Sequence, residues 1–419
     1  MAKIARVAAH QILDSRGNPT IEVHLALDSG VVVTAAAPSG ASIGKHEAVE
    51  IRDRNMQSFL GLSVEKAIAS VNNVIAPVLT NQDPTQQGPI DGKLIALDGT
   101  PDKSKLGGNS LIATSMAVCK AGAVAAGLQL FSYVGKLAGN DKLTMPTPMF
   151  NVINGGLHGT GNLDIQEFMV VPVRRTAYHK ALEVGDDIYL NLKEVLEKKS
   201  LLTSLGDEGG YTPALFTNAS ALDLIIEAIR QAQLTIGQDV FISLDVAADQ
   251  LIHGDRYFIK DASEPFSPDG LIGFYQNLIS RYSILSIEDP FSEDDWGSWR
   301  KLRETVGNST MVVGDDLTVT NPTRVRQAIA EKAISAVIIK PNQIGTISET
   351  LEVVKIARDA GITTVASHRS GETEDTFMAD FAVGIGAEYF KGGAPARGER
   401  VAKYNRFLEI EGQLAAATT

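Results

Sequence analysis

The second half of the chain contains a series of short apolar runs, each of which ends in a polar or charged residue. The runs include VFISLDVA, ILSIEDP, MVVGDD, AVIIKPN, TTVASHRS and AEYFKGG, and amphipathic helical patterns separate them. The residues that end the runs are Asp245, Glu288, Asp315, Lys340, His368 and Lys391. Buried parallel strands have this continuous apolar character. The pattern therefore predicts an α/β fold with a (β/α)8-type barrel over residues 139–419.

The first part of the chain has a different pattern. Residues 4–37 are typical of a three-stranded meander, because the turn sequences DSRGNP and DSG separate segments rich in β-forming residues. Helical patterns follow over residues 63–78 and 109–137. We predict an N-terminal α+β domain over residues 1–138, with a lid loop at 38–46 that is rich in Gly and Ser.

Composition restricts the function and the location. The 419 residues carry a formal net charge of −12 and a pI near 5.1, which argues against a nucleic-acid scaffold. A single cysteine, Cys119, cannot form an intramolecular disulfide and fits a reducing compartment. The N-terminus lacks a secretory signal pattern, and no apolar run reaches the ~18 residues of a membrane span. We expect a cytoplasmic protein without a membrane span or a nucleic-acid partner.

Three acids end predicted barrel strands: Asp245, Glu288 and Asp315. The active sites of such barrels lie at the carboxyl ends of the strands, so the three carboxylates are expected to converge. Converging carboxylates repel unless a cation neutralises them, and a set of oxygen ligands selects Mg²⁺. Each acid could instead begin a polar loop, but this alternative is weak for three acids at equivalent positions.

Cationic residues occupy the ends of later strands. Lys340 and Lys391 follow apolar runs, and a lysine near other cations can serve as a general base. Alternatively, each lysine extends to solvent. This alternative carries more weight for Lys391 than for Lys340, because the run before Lys340 is strongly apolar. In SHRSGET, Arg369 and Ser370 offer a guanidinium and a hydroxyl to a phosphate, unless the segment only caps a helix.

Two further acids lie outside these strand ends. Glu208 stands in LGDEGGY and Glu167 in IQEFMVV, and burial or neighbouring carboxylates would favour a protonated acid. LGDEGG could equally be a turn with surface acids. The segment PSGASIGKH fails as a phosphate-binding P-loop, because Ser39 and His46 occupy positions that require Gly and Ser or Thr. INGGLHGTGN is not a dinucleotide-binding motif, and both segments remain candidates for mobile loops.

Taken together, these strings resemble the enolase family along nearly the whole chain. The matching strings occur in the family's order: ILDSRGNPTIEV, PSGAS, PMFNVINGGLH, DIQEFM, GDEGG, SLDVAA, SIEDPF, GDDLTVTN, KPNQIGT, SHRSGETED and ERVAKYN. The resemblance implies the reversible dehydration of 2-phosphoglycerate to phosphoenolpyruvate. It also implies two Mg²⁺ sites, the second filled together with substrate, and a homodimer or an octamer.

The resemblance also implies roles for individual residues. The metal ligands would be Asp245, Glu288 and Asp315 for the first Mg²⁺ and Ser42 for the second. Lys340 would take the proton from C2, and Glu208, assisted by Glu167, would protonate the departing hydroxyl. The remaining substrate contacts would be Gln166, Lys391 at the carboxylate, Arg369 and Ser370 at the phosphate, His368, and His158 on a closing loop. The base must be neutral and the acid protonated, and we expect cationic surroundings to favour the first state and crowded carboxylates the second.

The sequence departs from the family pattern at several positions. Ile43 replaces the usual Thr after PSGAS, and residues 247–251 read AADQL where the family more often has AASEF. Two alternatives therefore stay open: another proton-abstracting enzyme of the same superfamily, or an additional role at the cell surface or in a secreted pool. The strings SHRSGET and GDEGG favour the enolase reaction, because they distinguish that family within the superfamily.

Overall fold

Tight turns and alternating apolar residues build an N-terminal sheet. The computed structural model describes residues 2–41, 44–159, 163–174, 176–307 and 309–417. Its first three strands form an antiparallel meander in the order β1-β2-β3: β1 (Ile4–Leu13), β2 (Pro19–Leu27) and β3 (Val32–Ala36). The sequence prediction of a three-stranded meander is confirmed.

Helices follow the sheet in the chain. They are α1 (Glu65–Ala69), a π-helical turn (Ser70–Ile75), α2 (Ala76–Leu79), α3 (Gln87–Asp98), α4 (Gly108–Ala126) and α5 (Leu130–Ala138). Helices α1, α2 and α4 and the π-helical turn pack on the strands of the sheet, whereas α3 and α5 pack on α4. Helix α4 is rich in small residues and packs closely on β2 and β3. By length and apolarity α4 could cross a membrane, but 78% of its most apolar window is buried inside the protein. Burial of this extent is typical of the core helix of a folded domain.

The rest of the chain closes a barrel, which confirms the predicted fold class. Its strands are β4 (Thr147–Asn154), β5 (Glu167–Pro172), β6 (Val240–Asp245), β9 (Ile284–Glu288), β10 (Met311–Gly314), β11 (Ala336–Ile339), β12 (Thr363–Ser367) and β13 (Tyr389–Lys391). A small hairpin of β7 (Ile252–His253) and β8 (Arg256–Tyr257) lies outside the barrel. Apolar side chains such as Met169, Val313 and Val365 fill the barrel interior.

One barrel strand departs from the parallel repeat that the sequence pattern predicts. Strand β5 pairs antiparallel with both β4 and β6. Among the described residues, only a short 3-10 helix (Gly156–His158) separates β4 from β5. Because β5 is reversed, its first residue, Glu167, lies at the same rim of the barrel as the last residues of the parallel strands.

Helices surround the barrel. They are α6 (Tyr178–Lys198), α7 (Asn218–Gln231), α8 (Pro268–Tyr282), α9 (Trp296–Val306), α10 (Pro322–Ala330), α11 (Pro341–Ile344), α12 (Ile347–Asp359), α13 (Phe377–Ile385) and α14 (Gly398–Ala417). Local capping explains where several of them begin. The Thr346 hydroxyl accepts the Glu349 N–H at 3.2 Å, and Asn321 Oδ1 accepts the Thr323 N–H at 2.9 Å. These side chains satisfy backbone donors that a first helical turn leaves unpaired.

Candidate active site

Strand register places three acids side by side at one rim of the barrel. Glu167 is paired with Asp245 across β5 and β6, and Asp245 is paired with Glu288 across β6 and β9. Paired positions on neighbouring strands project to the same side of a sheet. All three residues are buried. The predicted convergence of Asp245 and Glu288 therefore follows directly from the pairing of their strands.

A buried lysine neutralises part of this charge. Lys391 Nζ lies 2.8 Å from Asp245 Oδ2, 3.0 Å from each Glu288 oxygen and 3.1 Å from Glu167 Oε2. Its side chain is 2% exposed, so it does not extend to solvent. Burial lowers the pKa of Lys391, but the surrounding carboxylates outweigh burial and hold that pKa well above its usual range.

The second lysine is paired with the third acid. Lys340, which follows β11, donates its ammonium to Asp315, and the Gln343 side chain donates to the other Asp315 oxygen at 2.9 Å. Burial lowers the pKa of Lys340, but Asp315 offsets this effect and the net change is upward. Among the side chains, Arg369 and Lys391 lower the pKa of Lys340 less than Asp315 raises it. The expectation that cationic surroundings, bound Mg²⁺ included, keep Lys340 neutral stays a prediction.

Carboxylates outnumber lysines at this rim, and the excess fits a divalent cation. Carboxylate oxygens of Asp245, Glu288 and Asp289 lie within 4.8 Å of one another, as do those of Asp289, Asp315 and Asp316. Burial and mutual repulsion raise the pKa of Glu288, Asp289 and Asp316 well above their usual ranges. A dense set of buried oxygen donors with this charge imbalance suits a hard cation such as Mg²⁺.

Asp289 is a functional residue that the sequence did not single out. Its two carboxylate oxygens accept the backbone N–H groups of Asp315, at 3.0 Å, and Asp316, at 2.8 Å. Asp289 therefore holds the backbone of the predicted ligand in place. Its position directly after Glu288, in the string SIEDPF, was the available signal.

A second cluster surrounds Glu208. His158 Nδ1 lies 3.3 Å from Glu167 Oε1 and 3.4 Å from Glu208 Oε1, and His368 Nε2 lies 3.4 Å from Glu208 Oε2. Burial raises the pKa of Glu208, but His368 and His158 outweigh burial and bring that pKa well below its usual range. The expectation of a protonated Glu208 is therefore wrong for this arrangement. Glu167 is the acid with the raised pKa, because of burial and the nearby Glu208 charge.

The predicted phosphate-binding residues contact the lid loop and Glu47, the residue that directly follows it. Arg369 forms a two-pronged ion pair with Glu47, with distances of 2.9 and 3.1 Å, and both side chains are 5% exposed. The Ser370 hydroxyl accepts the Ala41 N–H at 2.6 Å. Ser42 lies outside the described residues, so its role at a second Mg²⁺ stays a prediction.

A fully buried arginine joins the two loops that carry His368 and Glu208. Arg400 donates to His368 Nδ1 at 2.7 Å and also to backbone carbonyls of both loops. Because a guanidinium only donates, His368 Nδ1 must accept, and the ring proton lies on Nε2, facing Glu208. Burial lowers the pKa of His368 to about 4, so its ring is neutral. Arg400 lies in the matching string ERVAKYN, but its sequence position alone did not indicate this contact.

Most of the predicted site residues line one cavity: His158, Gln166, Glu167, Glu208, Asp245, Asp315, Lys340, His368, Arg369, Ser370 and Lys391. Gly40 of the lid loop also lines the cavity. Glu288 is not part of the lining and contacts the cavity through Lys391. The cavity thus combines carboxylates, lysines and the Arg369 guanidinium at the carboxyl ends of the barrel strands.

Two protein-family models match the chain. The model described as Enolase, N-terminal domain matches residues 4–134, and the model described as Enolase, C-terminal TIM barrel domain matches residues 142–419. The two matched segments correspond to the meander domain and to the barrel that carries the cavity.

Proposed function

The chain belongs to the enolase family, and we propose that it catalyses the reversible dehydration of 2-phosphoglycerate to phosphoenolpyruvate with Mg²⁺. The observation that carries the proposal is the lining of one cavity by Lys340, Glu208 and Arg369 together with the acids of the rim. The substrate has a carboxylate, a phosphate and a hydroxyl on C3. The cavity offers a distinct partner for each of these groups.

In this proposal, substrate binding uses charged and polar groups of the cavity lining. The Arg369 fork and the Ser370 hydroxyl suit phosphate oxygens, and Lys391 suits the carboxylate. Asp245, Glu288 and Asp315 would hold the Mg²⁺. Bound Mg²⁺ would stabilise the negative charge that develops on the substrate carboxylate when the C2 proton leaves.

The proton transfers are assigned to two side chains. Lys340 takes the proton from C2 in its neutral form, which a Mg²⁺ held by Asp315 would favour by competing with Lys340 for that carboxylate. The released electron pair forms the C2–C3 double bond as the C3–O bond breaks. Glu208 passes a proton to the departing hydroxyl, which leaves as water. Because Glu208 itself is ionised in this arrangement, that proton comes from Glu167, the acid with the raised pKa, by way of His158. In the reverse direction the Glu208 carboxylate, stabilised by two histidines, takes a proton from the attacking water. Glu167 and His158 lie close enough to exchange a proton with Glu208.

The lid loop completes the proposal. Backbone atoms of Ser39 and Gly371 exchange two hydrogen bonds of 2.8 Å, which join the lid loop to the phosphate-binding segment. A lid held in this way would help to exclude water from the cavity, and the exclusion of water would strengthen the electrostatic interactions inside it. The proposal also includes a homodimer in the cytoplasm, with sedimentation and cell fractionation as the respective measurements.

The test is the absorbance of phosphoenolpyruvate formed from 2-phosphoglycerate, with Mg²⁺ and with excess chelator. We expect Mg²⁺-dependent turnover, and a loss of about 10²- to 10⁴-fold in kcat for Lys340→Ala because a general base is removed. Lys355→Ala is the control, since Lys355 forms an exposed pair with Asp359. Faster turnover of a non-phosphorylated hydroxy acid would instead indicate another reaction of the superfamily.

A further inference from the structure

Two histidines and a glutamate form a cluster on the N-terminal sheet, away from the barrel cavity. Glu22 Oε1 lies 3.2 Å from His10 Nε2 and 2.9 Å from His24 Nε2. The two imidazole rings are in contact, with centroids 4.5 Å apart. We propose that His10, Glu22 and His24 form a binding site for a divalent transition-metal ion such as Zn²⁺.

Backbone pairing holds the three side chains together. His10 is directly opposite Glu22 in the antiparallel register of β1 and β2, and His24 follows Glu22 by two residues on β2, so all three project from one face. The edge of β1 that pairs with none of the described strands is fixed by Asn72. Its side-chain oxygen accepts the Ala9 N–H at 2.8 Å, and its side-chain nitrogen donates to the Ala9 carbonyl at 3.1 Å. A cation would therefore find its ligands already positioned, which reduces the entropy cost of binding.

The spacing of the ligand atoms suits a small cation. With bonds of about 2.0–2.1 Å, the ligand atoms of a tetrahedral Zn²⁺ site lie about 3.3 Å from one another. The distances from Glu22 Oε1 to His24 Nε2 and His10 Nε2, 2.9 and 3.2 Å, are close to that value. Small side-chain rotations would bring His10, Glu22 and His24 into three ligand positions. The fourth position would face water, because His10 and His24 are half exposed.

The donor set distinguishes this site from the barrel rim. Two imidazole nitrogens and one carboxylate favour Zn²⁺, Ni²⁺ or Cu²⁺, whereas the oxygen donors of the barrel favour Mg²⁺. A bound ion would join β1 to β2, whose connecting turn supports the phosphate-binding segment: the Ser15 N–H donates to the Glu372 carbonyl at 2.7 Å. The proposed ion is thus a clamp on the hairpin, and the proposal does not depend on which reaction the barrel catalyses.

The experiment measures Zn²⁺ bound per chain by equilibrium dialysis of the full chain in excess Mg²⁺, which occupies the barrel acids. His10→Ala, His24→Ala and Glu22→Gln each remove one ligand. We expect each variant to bind Zn²⁺ at the hairpin site at least about tenfold more weakly than the wild type does. Cu²⁺ bound to the wild type should show electron-spin coupling to two imidazole nitrogens, and to only one in either histidine variant.

The control is His179→Ala. His179 Nδ1 lies 3.0 Å from Glu411 Oε2 and is comparably exposed, but no second histidine of the described residues joins this pair as a possible ligand. We expect unchanged Zn²⁺ binding in the control. Equal Zn²⁺ stoichiometry and affinity in the wild type and the three ligand variants would overturn the proposal, and so would an equal loss in His179→Ala.

Discussion

Replacing Lys391 with methionine should make the stability of the protein depend on Mg²⁺. Methionine keeps the length and the apolar stem of the side chain but removes its ammonium. Lys391 Nζ is the close cationic partner of Asp245, Glu288 and Glu167, at 2.8–3.1 Å. Its removal leaves three buried carboxylates facing one another without that partner.

The magnitude follows from two estimates. Removing one partner of a buried ion pair costs about 3–5 kcal/mol. One of the carboxylates can also take up a proton, which sets an upper limit on this cost. Protonating a glutamate of ordinary pKa about 4.3 near pH 7 costs about 3–4 kcal/mol, at ~1.4 kcal/mol for each pH unit above its pKa. The two estimates agree, and they correspond to a fall in Tm of roughly 6–10 °C for a domain of this size.

The assay is thermal unfolding of wild type and Lys391→Met, each in chelator and in saturating Mg²⁺. Bound Mg²⁺ supplies the missing charge, so we expect the difference in Tm to be large in chelator and to shrink when Mg²⁺ is added. Lys355→Met, in an exposed pair, should show no difference in either condition. Equal Tm values for Lys391→Met and the wild type in chelator would refute the charge argument. Equal stabilisation of both by Mg²⁺ would refute the assignment of these acids as its ligands.

Three further predictions concern other parts of the fold. Arg400→Lys should lower kcat about 10- to 100-fold. The variant leaves some of the buried acceptors of Arg400, including His368 Nδ1, without a donor, at a cost of about 1–3 kcal/mol each. Nitrogen NMR should then show that the His368 ring proton is no longer confined to Nε2. Glu372 is paired with buried Lys403 at 2.8 Å; burial raises the pKa of Glu372, but Lys403 outweighs it and the net change is downward. The pair therefore stabilises the protein at pH values above the ordinary glutamate pKa, and this stabilisation is lost as the pH falls through the lower pKa that Glu372 has in the folded protein. In urea unfolding, the free energies of unfolding of the wild type and Glu372→Gln should therefore converge in acid. Burial raises the pKa of the Cys119 thiol, so a thiol reagent should label it only after unfolding.

Each of these predictions has a contradicting result. Arg406→Lys is the matched control for Arg400, because Arg406 pairs with Asp380 away from the cavity; an equal loss of kcat in both variants would remove any special role of Arg400. A constant stability difference between the wild type and Glu372→Gln across the acid range would contradict the pairing argument. Labelling of Cys119 at the same rate in native and unfolded protein would contradict its burial.

Much of the fold could be predicted because its signals are local. The meander follows from turn strings between β-rich segments, and the start of α12 follows from Thr346 and Glu349, three residues apart. The reversed direction of β5 could not be predicted in this way. An apolar run of six residues has the same pattern in either direction, and only its neighbours β4 and β6 determine which end meets the rim.

Some residues of the candidate site could likewise be predicted from local sequence signals, and others could not. Asp245, Lys340 and Lys391 could be selected because each ends an apolar run, and strand periodicity determines where such a residue points. Arg400 and Glu47 could not be selected, because each contacts residues that are distant in the chain. The assignments of His158 and Ser42 rested on the family resemblance, and only the first lies within the described residues.

The sequence by itself determined the kinds of groups that meet at the barrel rim, since strand endings and residue chemistry are local properties. Only the tertiary structure decided the charge state of those groups. Two histidines lie beside Glu208 and lower its pKa, and Asp315 raises the pKa of Lys340 more than Arg369 and Lys391 lower it. Interactions between charges depend on separation and burial, and both quantities exist only once distant segments of the chain have packed together.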